Sequence, residues 1–227
     1  MSVLNISREG DISIIEMNNG AQDNTFNLQI LDEWFKALDA AQSIPGDTAL
    51  LIRSNDPKTF CTGIDLAWLM AQSPATVQEF VTQLENLFLR VATLDMPTVA
   101  EINGNCYAGG AILATACDFR YMRSDRGRFC YSEVKIKKPF TPAMLEVVRL
   151  LPNERAMYEL SVTADAWGGE QCMQRGIVDA ALPLEELHPC ALEKAMQLAT
   201  KHRPTFTTIK RGIRDRVAEY ASDRGLI

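Results

Sequence analysis

Histidine is nearly absent from this chain of 227 residues: His188 and His202 are the only two. Both lie in the C-terminal third among helix-forming residues, away from any Ser or Cys motif, which argues against a Ser-His-Asp, Cys-His or His-metal centre. The six cysteines (Cys61, Cys106, Cys117, Cys130, Cys172 and Cys190) form no CxxC pair and stand in apolar contexts. Packing accounts for them better than disulfides or zinc. Also missing are GxGxxG, a glycine-rich loop with Lys-Ser/Thr, GxSxG and HExxH, the usual signatures of nucleotide, hydrolase and zincin sites. No segment reaches the roughly 18 uninterrupted apolar residues of a membrane span. Any acid–base chemistry then falls to a carboxylate.

The composition is that of a folded globular protein, 47% hydrophobic and 23% charged, and the length fits one domain or one domain with a helical appendage. A net charge of −6 argues against a global attraction to nucleic acid or to an anionic membrane, while leaving room for a local basic patch. The opening Met1-Ser2-Val3-Leu4-Asn5 has neither a basic n-region nor an apolar h-region, and Gly225-Leu226-Ile227 is no peroxisomal address. A reducing, cytoplasmic setting, most simply bacterial, is the expectation.

Strand and helix patterns alternate in the first half. Asp11 to Met17 alternates and is β-branched, so it predicts a first strand. Asn27 to Ala41 carries Leu28, Leu31, Phe35, Leu38 and Ala41 at helical spacing, and Thr48 to Arg53 reads as a buried strand. A loop from Asn55 then passes through Gly63 into a helix near Leu66. Pro74 to Leu94 is a regular amphipathic helix ended by Asp95-Met96-Pro97. Thr98 to Ile102 and Phe119 to Met122 are strands, separated by an apolar helix ending at Cys117. Helices are predicted over Pro142 to Leu151, Asn153 to Val162, Gly169 to Arg175, Pro189 to His202 and Thr205 to Ser222, with a turn and short strand at Gly176 to Ala180. No internal repeat of fixed period is visible. The pattern predicts an α/β core with a helical C-terminal region.

The stretch that organises the chain runs from Ile102 to Glu133. Its hub is the turn Asn103-Gly104-Asn105-Cys106-Tyr107-Ala108-Gly109-Gly110 between a strand and a helix. Glycines there let backbone approach a ligand, and first-turn N–H groups lack an intrahelical partner. Such a turn holds an anion, or an oxygen about to become one; it also serves as a mere packing turn. Gly63 marks a second strand-turn-helix unit of this kind. Phe129-Cys130-Tyr131-Ser132-Glu133-Val134 then places a carboxylate directly after an apolar run, either as a solvated loop-edge group or as a base. Two backbone donors aimed at one oxygen, plus a base, are what proton abstraction beside a thioester carbonyl requires, because charge moves onto that oxygen.

On these residues the sequence resembles the crotonase, or enoyl-CoA hydratase/isomerase, superfamily over nearly its whole length. The resemblance rests on Asn24-Thr25-Phe26-Asn27, Phe60-Cys61-Thr62-Gly63-Ile64-Asp65-Leu66 and Pro97 to Gly104 with Ala108-Gly109-Gly110. It continues through Cys117-Asp118-Phe119, Ser132-Glu133-Val134 and Gly176-Ile177-Val178-Asp179; order and spacing together are specific where each motif alone is weak. It implies a crotonase-like spiral of ββα units over residues 1–180 and a C-terminal helical trimerisation region over 181–227, within a single crotonase domain. It also implies a homotrimer or dimer of trimers, acyl-CoA thioester substrates, and no metal or redox cofactor. The oxyanion hole falls on the N–H groups of Ile64 and Gly109.

One departure discriminates within the family. Hydratases use two glutamates, and at the first of these positions the chain has Ile112; only the second, Glu133, is kept. The pattern resembles Δ3,Δ2-enoyl-CoA isomerases, plant peroxisomal and related bacterial ones in particular, with Glu133 carrying a proton from C2 to C4. Weak hydration, other thioester enolate chemistry, or an acyl-CoA or RNA-binding homologue without turnover are the competing readings. By resemblance Thr62, Leu66 and Phe26 line the CoA groove, with packing the alternative for Phe26. Asp65, Gly110 and Ile112 belong to the substrate region, with capping of the helix beginning near Leu66 the bland role for Asp65. The basic run Lys201, Arg203, Lys210, Arg211, Arg214 and Arg216 is either a solvated helix face or a neighbour of the CoA phosphates. Lys137 and Lys138 occupy a stretch where relatives usually have glycine, which bears on the shape of the acyl pocket.

Overall fold

The computed structural model describes residues 3–227; the first two residues of the opening read for a leader lie outside them. Strand β1 (Leu4–Glu9) pairs antiparallel with β2 (Ile12–Met17). Then come α1 (Leu28–Gln42), β3 (Ala49–Ser54), β4 (Thr59–Cys61), the short α2 (Leu66–Met70) and the long α3 (Pro74–Thr93). Next are β5 (Thr98–Ile102), β6 (Asn105–Tyr107), α4 (Gly109–Ala116), β7 (Phe119–Arg123) and β8 (Phe129–Cys130). The rest comprises α5 (Pro142–Val148), α6 (Glu154–Thr163), α7 (Gly169–Gln174), β9 (Ala180–Leu182), α8 (Leu184–Ala199), α9 (Arg203–Ile213) and α10 (Asp215–Asp223).

Two sheets form, one in the order β1-β2-β3-β5-β7-β9 and a smaller one in the order β4-β6-β8. From β2 onward every pairing in both is parallel. The chain thus repeats one move three times: a strand in the large sheet, a strand in the small sheet, then helix. These are the ββα turns of a spiral, and their uneven insertions explain why the sequence shows no fixed period.

The middle strands β2, β3 and β5 of the large sheet are buried on both faces, and β3 accordingly reads as a continuous apolar run. In β3, Leu50 and Ile52 belong to the main core with Trp34, Leu38, Phe80 and Phe88 from α1 and α3, whereas Ala49 and Leu51 pack with Ala191, Ala195 and Leu198 of α8. Caps place the helices: Asn27, Asp65, Ser73, Thr141 and Asn153 each accept an N–H from the first turn of the helix that follows.

Three sequence expectations need correction. β1 was not anticipated, because its polar, mostly exposed sequence lacks a strand pattern. α8 starts at Leu184 and contains Pro189, instead of starting there; its first turn carries Glu185 and Glu186, which favour a helix N-terminus. The single helix expected over Thr205 to Ser222 is two, broken at Arg214 (φ −100°, ψ 37°), whose guanidinium is drawn inward.

Candidate active site

The small parallel sheet assembles the site. β4 runs into Thr62-Gly63-Ile64, β6 into Ala108-Gly109, and β8 into Tyr131-Ser132-Glu133, so three consecutive spiral turns empty onto one sheet edge. Neighbouring strands lie ~4.8 Å apart, and the carboxyl ends of parallel strands are where such folds bind ligands.

The two glycine turns touch. A Cβ on Gly63 (φ +89°) would lie 2.8 Å from the Gly109 nitrogen, so only glycine lets the turns close on each other. A parallel bridge holds the first turn: Phe26 N–H donates to the Gly63 carbonyl (2.7 Å), and Asp65 N–H donates to the Phe26 carbonyl (3.0 Å). Ala108 holds the second, its N–H donating to the Cys130 carbonyl (2.9 Å) and its carbonyl accepting from Ile112 N–H (3.0 Å). Ala108 has φ 47° and ψ −122°, a strained conformation for a residue with a Cβ, maintained by these two bonds. Among the described residues the Ile64 and Gly109 N–H groups have no backbone or side-chain acceptor. Adjacent backbone donors left without internal partners are what an oxyanion site needs.

Glu133 differs from the other buried carboxylates. Its residue is half-buried, but Oε2 is out of solvent and makes no hydrogen bond, the only carboxylate oxygen in that state among the described residues. Loss of hydration disfavours its charge and pushes the carboxyl up to about 7 from an ordinary 4.5; a bond from its own backbone N–H offsets part of this. Its support is aromatic. Tyr131, wholly buried, meets Phe129 and Phe140 edge-on at 5.5 and 5.7 Å, and its hydroxyl bonds Thr115 Oγ1 of α4 at 2.6 Å. Beside Glu133 opens a cavity of about 410 Å³ lined by Val134, Lys137, Lys138, Phe140 and Leu145 among others.

A profile of the family described as enoyl-CoA hydratase/isomerase matches residues 7–224. The chain belongs to the enoyl-CoA hydratase/isomerase family. A putative enoyl-CoA hydratase of Thermus thermophilus is 31% identical over 205 residues, covering 87% of this chain and 79% of that protein. Enoyl-CoA delta isomerase 2, peroxisomal, of Arabidopsis thaliana is 29% identical, covering 78% and 75%. The crystal structure of an enoyl-CoA hydratase/isomerase family protein from Pseudomonas syringae superposes with a TM-score of 0.88 over 96% of this chain and 92% of that one, at 22% identity. The fold is therefore the α/β crotonase fold. The family is one of enzymes acting on acyl-CoA thioesters, and both hydratases and isomerases occur among the relatives.

Within this family member, the remaining sequence-predicted residues fall into two groups. Ile64, Gly109 and Gly110 lie at the joined turns; a Cβ on Gly110 would be 2.1 Å from the Cys61 carbonyl oxygen, so α4 starts pressed against β4. Thr62 is half-buried and Leu66 is 53% exposed, both available to a groove. Asp65 caps α2 through Trp68 N–H at 2.9 Å. Phe26, by contrast, is fully buried with its ring edge-on to Phe88 at 6.3 Å, so it backs the Gly109 turn by packing and does not reach a groove. Ile112 is 1% exposed, on the face of α4 that Thr115 turns toward Tyr131.

The basic run is corrected at Arg203, Lys210, Arg211 and Arg214. Arg203 donates to the Ile44, Gln42 and Asp95 carbonyls, and Arg211 to the Thr93 carbonyl. Arg214 donates to the Ala92 and Ala116 carbonyls, and Lys210 is buried against Asp118. These cations cap the carbonyl ends of α1, α3 and α4 rather than facing solvent or a phosphate; only Lys201 and Arg216 of the run are exposed. The sequence could have signalled this through Asp118, the carboxylate closing α4. Other family-like motif residues are scaffold too: Asn103 Nδ2 donates to the Ser54 and Asp56 carbonyls, Asn24 Nδ2 to Ser54 Oγ and the Phe60 carbonyl, and Asp179 accepts from Arg120 N–H. Among the described residues no three His, Cys, Asp or Glu side chains converge as a metal site, and no helix is long and apolar enough to cross a membrane.

Proposed function

We propose that this chain is a Δ3,Δ2-enoyl-CoA isomerase serving fatty-acid β-oxidation, with Glu133 as its one base. The observation that carries the reading is the isolation of Glu133: a half-buried carboxyl beside the cavity whose Oε2 is out of solvent and without a partner, with an isoleucine at position 112 where a second glutamate would be needed to orient water. The Ile64 and Gly109 N–H groups polarise the thioester carbonyl. The Glu133 carboxylate takes a proton from C2, and the C–H electrons move onto the carbonyl oxygen through C1–C2, giving a dienolate held by the two donors. The neutral Glu133 acid then returns the proton to C4. As C4 gains it, the electrons of the old C3–C4 double bond form the new C–H bond, the C1–C2 pair becomes the C2–C3 double bond, and the carbonyl is restored. One proton moves and no electrons leave, so neither metal nor redox cofactor is required. A base with its carboxyl near 7 can both accept and give that proton at neutral pH. The assembly we propose is a homotrimer or dimer of trimers formed with residues 181–227.

Hydration is the second reading, favoured by the Thermus relative's name. Assays with 3-hexenoyl-CoA and 2-hexenoyl-CoA separate the two: the isomerase reading expects rapid conversion of the first and at most slow water addition to the second. It also expects Glu133→Gln to lose ~10²–10⁴ in kcat on 3-hexenoyl-CoA. Rapid hydration of 2-hexenoyl-CoA, or near-normal isomerisation by the variant, overturns it.

A further inference from the structure

The cavity beside Glu133 is not wholly apolar. Val134, Phe140 and Leu145 form its greasy wall, and Lys137 and Lys138, both exposed, stand among its lining residues within side-chain reach of its mouth. Among the described residues neither lysine forms an ion pair or a side-chain hydrogen bond, in contrast to the neighbouring Lys135, whose Nζ donates to the Ala164 carbonyl at 2.6 Å. Two cations without an ion-pair partner beside the cavity favour a second anion there, in a protein of net charge −6.

The backbone adds an independent observation. Lys137 has φ 57°, the left-handed region that glycine enters freely and a lysine enters at a cost of ~1 kcal/mol. Its N–H donates to the Val134 carbonyl, and Lys138 N–H to the Glu133 carbonyl at 3.0 Å, so both lysines are tied to the turn that carries the base. A glycine at 137 would relieve the strain; the lysine keeps a charge at the cavity instead.

With the thioester at the two backbone donors and C2 to C4 at Glu133, the remainder of the acyl chain enters this cavity. Its volume of about 410 Å³ lies toward the small end of ligand pockets, suited to a short chain. We propose that the preferred substrates are CoA monothioesters of short unsaturated dicarboxylic acids, whose far carboxylate is met by Lys137 and Lys138 while the intervening methylenes pack on Val134, Phe140 and Leu145. The ammonium groups also offset the repulsion that such a carboxylate would feel from Glu133. This inference rests on the isomerase reading for the direction of the chain, and its test separates the two.

The experiment measures binding and turnover in the wild type and in the double variant Lys137→Gly, Lys138→Gln, which folds at least as readily because glycine fits φ 57°. Calorimetry compares the saturated ligands adipyl-CoA and hexanoyl-CoA, and kinetics compares 3-hexenoyl-CoA with 3-hexenedioyl-CoA joined to CoA through one carboxyl. Wild type is expected to bind adipyl-CoA about tenfold more tightly than hexanoyl-CoA and to favour the dicarboxylic substrate similarly in kcat/KM. The double variant is expected to lose that preference while keeping its affinity for hexanoyl-CoA. Equal binding of the two saturated ligands by wild type overturns the proposal. So does an equal loss for both in the variant, which would place the lysines against the CoA phosphates. Absence of turnover on both unsaturated substrates with the adipyl-CoA preference intact would sink the isomerase reading alone.

Discussion

Two carboxylates lie buried fewer than twenty residues apart in the chain, and the molecule treats them in opposite ways. Asp118 closes α4 and is saturated with partners: Oδ2 accepts from Thr98 N–H (2.8 Å), Thr98 Oγ1 (2.9 Å) and Lys210 Nζ (2.9 Å), and Oδ1 meets Arg214 at 3.0 Å. Burial pushes its carboxyl up, but the Lys210 and Arg214 charges with these hydrogen bonds outweigh it and hold the carboxyl below its ordinary range. Glu133 is given no such company: burial raises its affinity for the proton, and only a bond from its own backbone N–H offsets part of that. A partnered carboxylate is a fixed charge that holds helices together. A carboxyl oxygen buried without a partner is a cost to the fold, and such groups cluster at functional sites, which is what the proposed role of Glu133 as a proton carrier draws on.

The comparison predicts stability changes of opposite sign. Asp118→Asn leaves Lys210 and Arg214 buried without their counter-charge, and should destabilise by ~3–5 kcal/mol at neutral pH in denaturant titration. Because the folded-state carboxyl is depressed, that contribution is present above the ordinary aspartate range and is lost as pH falls through the lower folded value. The gap between wild type and variant should therefore narrow in acid. An unchanged midpoint at pH 7 would mean that the cation cluster is ornamental.

Glu133→Gln is expected to go the other way, and by less. A folded carboxyl near 7 against an ordinary 4.5 means that the native state holds a proton the unfolded chain has lost between those values, so wild-type stability falls as pH rises across that window. Above it, the neutral glutamine should stabilise by up to ~3 kcal/mol. Below about 4.5 both states carry the proton and the difference should vanish. A variant less stable than wild type at pH 8 would show that Glu133 has a partner after all.

How much of this was legible beforehand depends on which physical signal each element carries. The long helices α1 and α3 and the buried strands β3 and β5 announce themselves through periodicity, and the Gly63 and Gly109 turns through glycine at a strand-to-helix junction. The small sheet did not show, because β4, β6 and β8 are two or three residues long, too short for any alternation to register. Yet that sheet is what gathers Gly63, Gly109 and Glu133 at one edge. The basic run from Lys201 to Arg216 misled for a related reason: charge counts do not say which way a side chain turns, and most of these cations point at helix-end carbonyls. The lysine at 137 was visible as a departure from glycine, but only its φ of 57° shows that the backbone kept the shape glycine would have allowed.

The direct test of the central claim is the titration of the Glu133 carboxyl itself, followed by ¹³C NMR in glutamate-labelled protein and assigned by the resonance lost in Glu133→Gln. The account predicts a midpoint near 7, set by burial that only a bond from the residue's own backbone N–H offsets. A midpoint near the ordinary 4.5 would contradict it, because the carboxyl would then be solvated or paired in the folded protein.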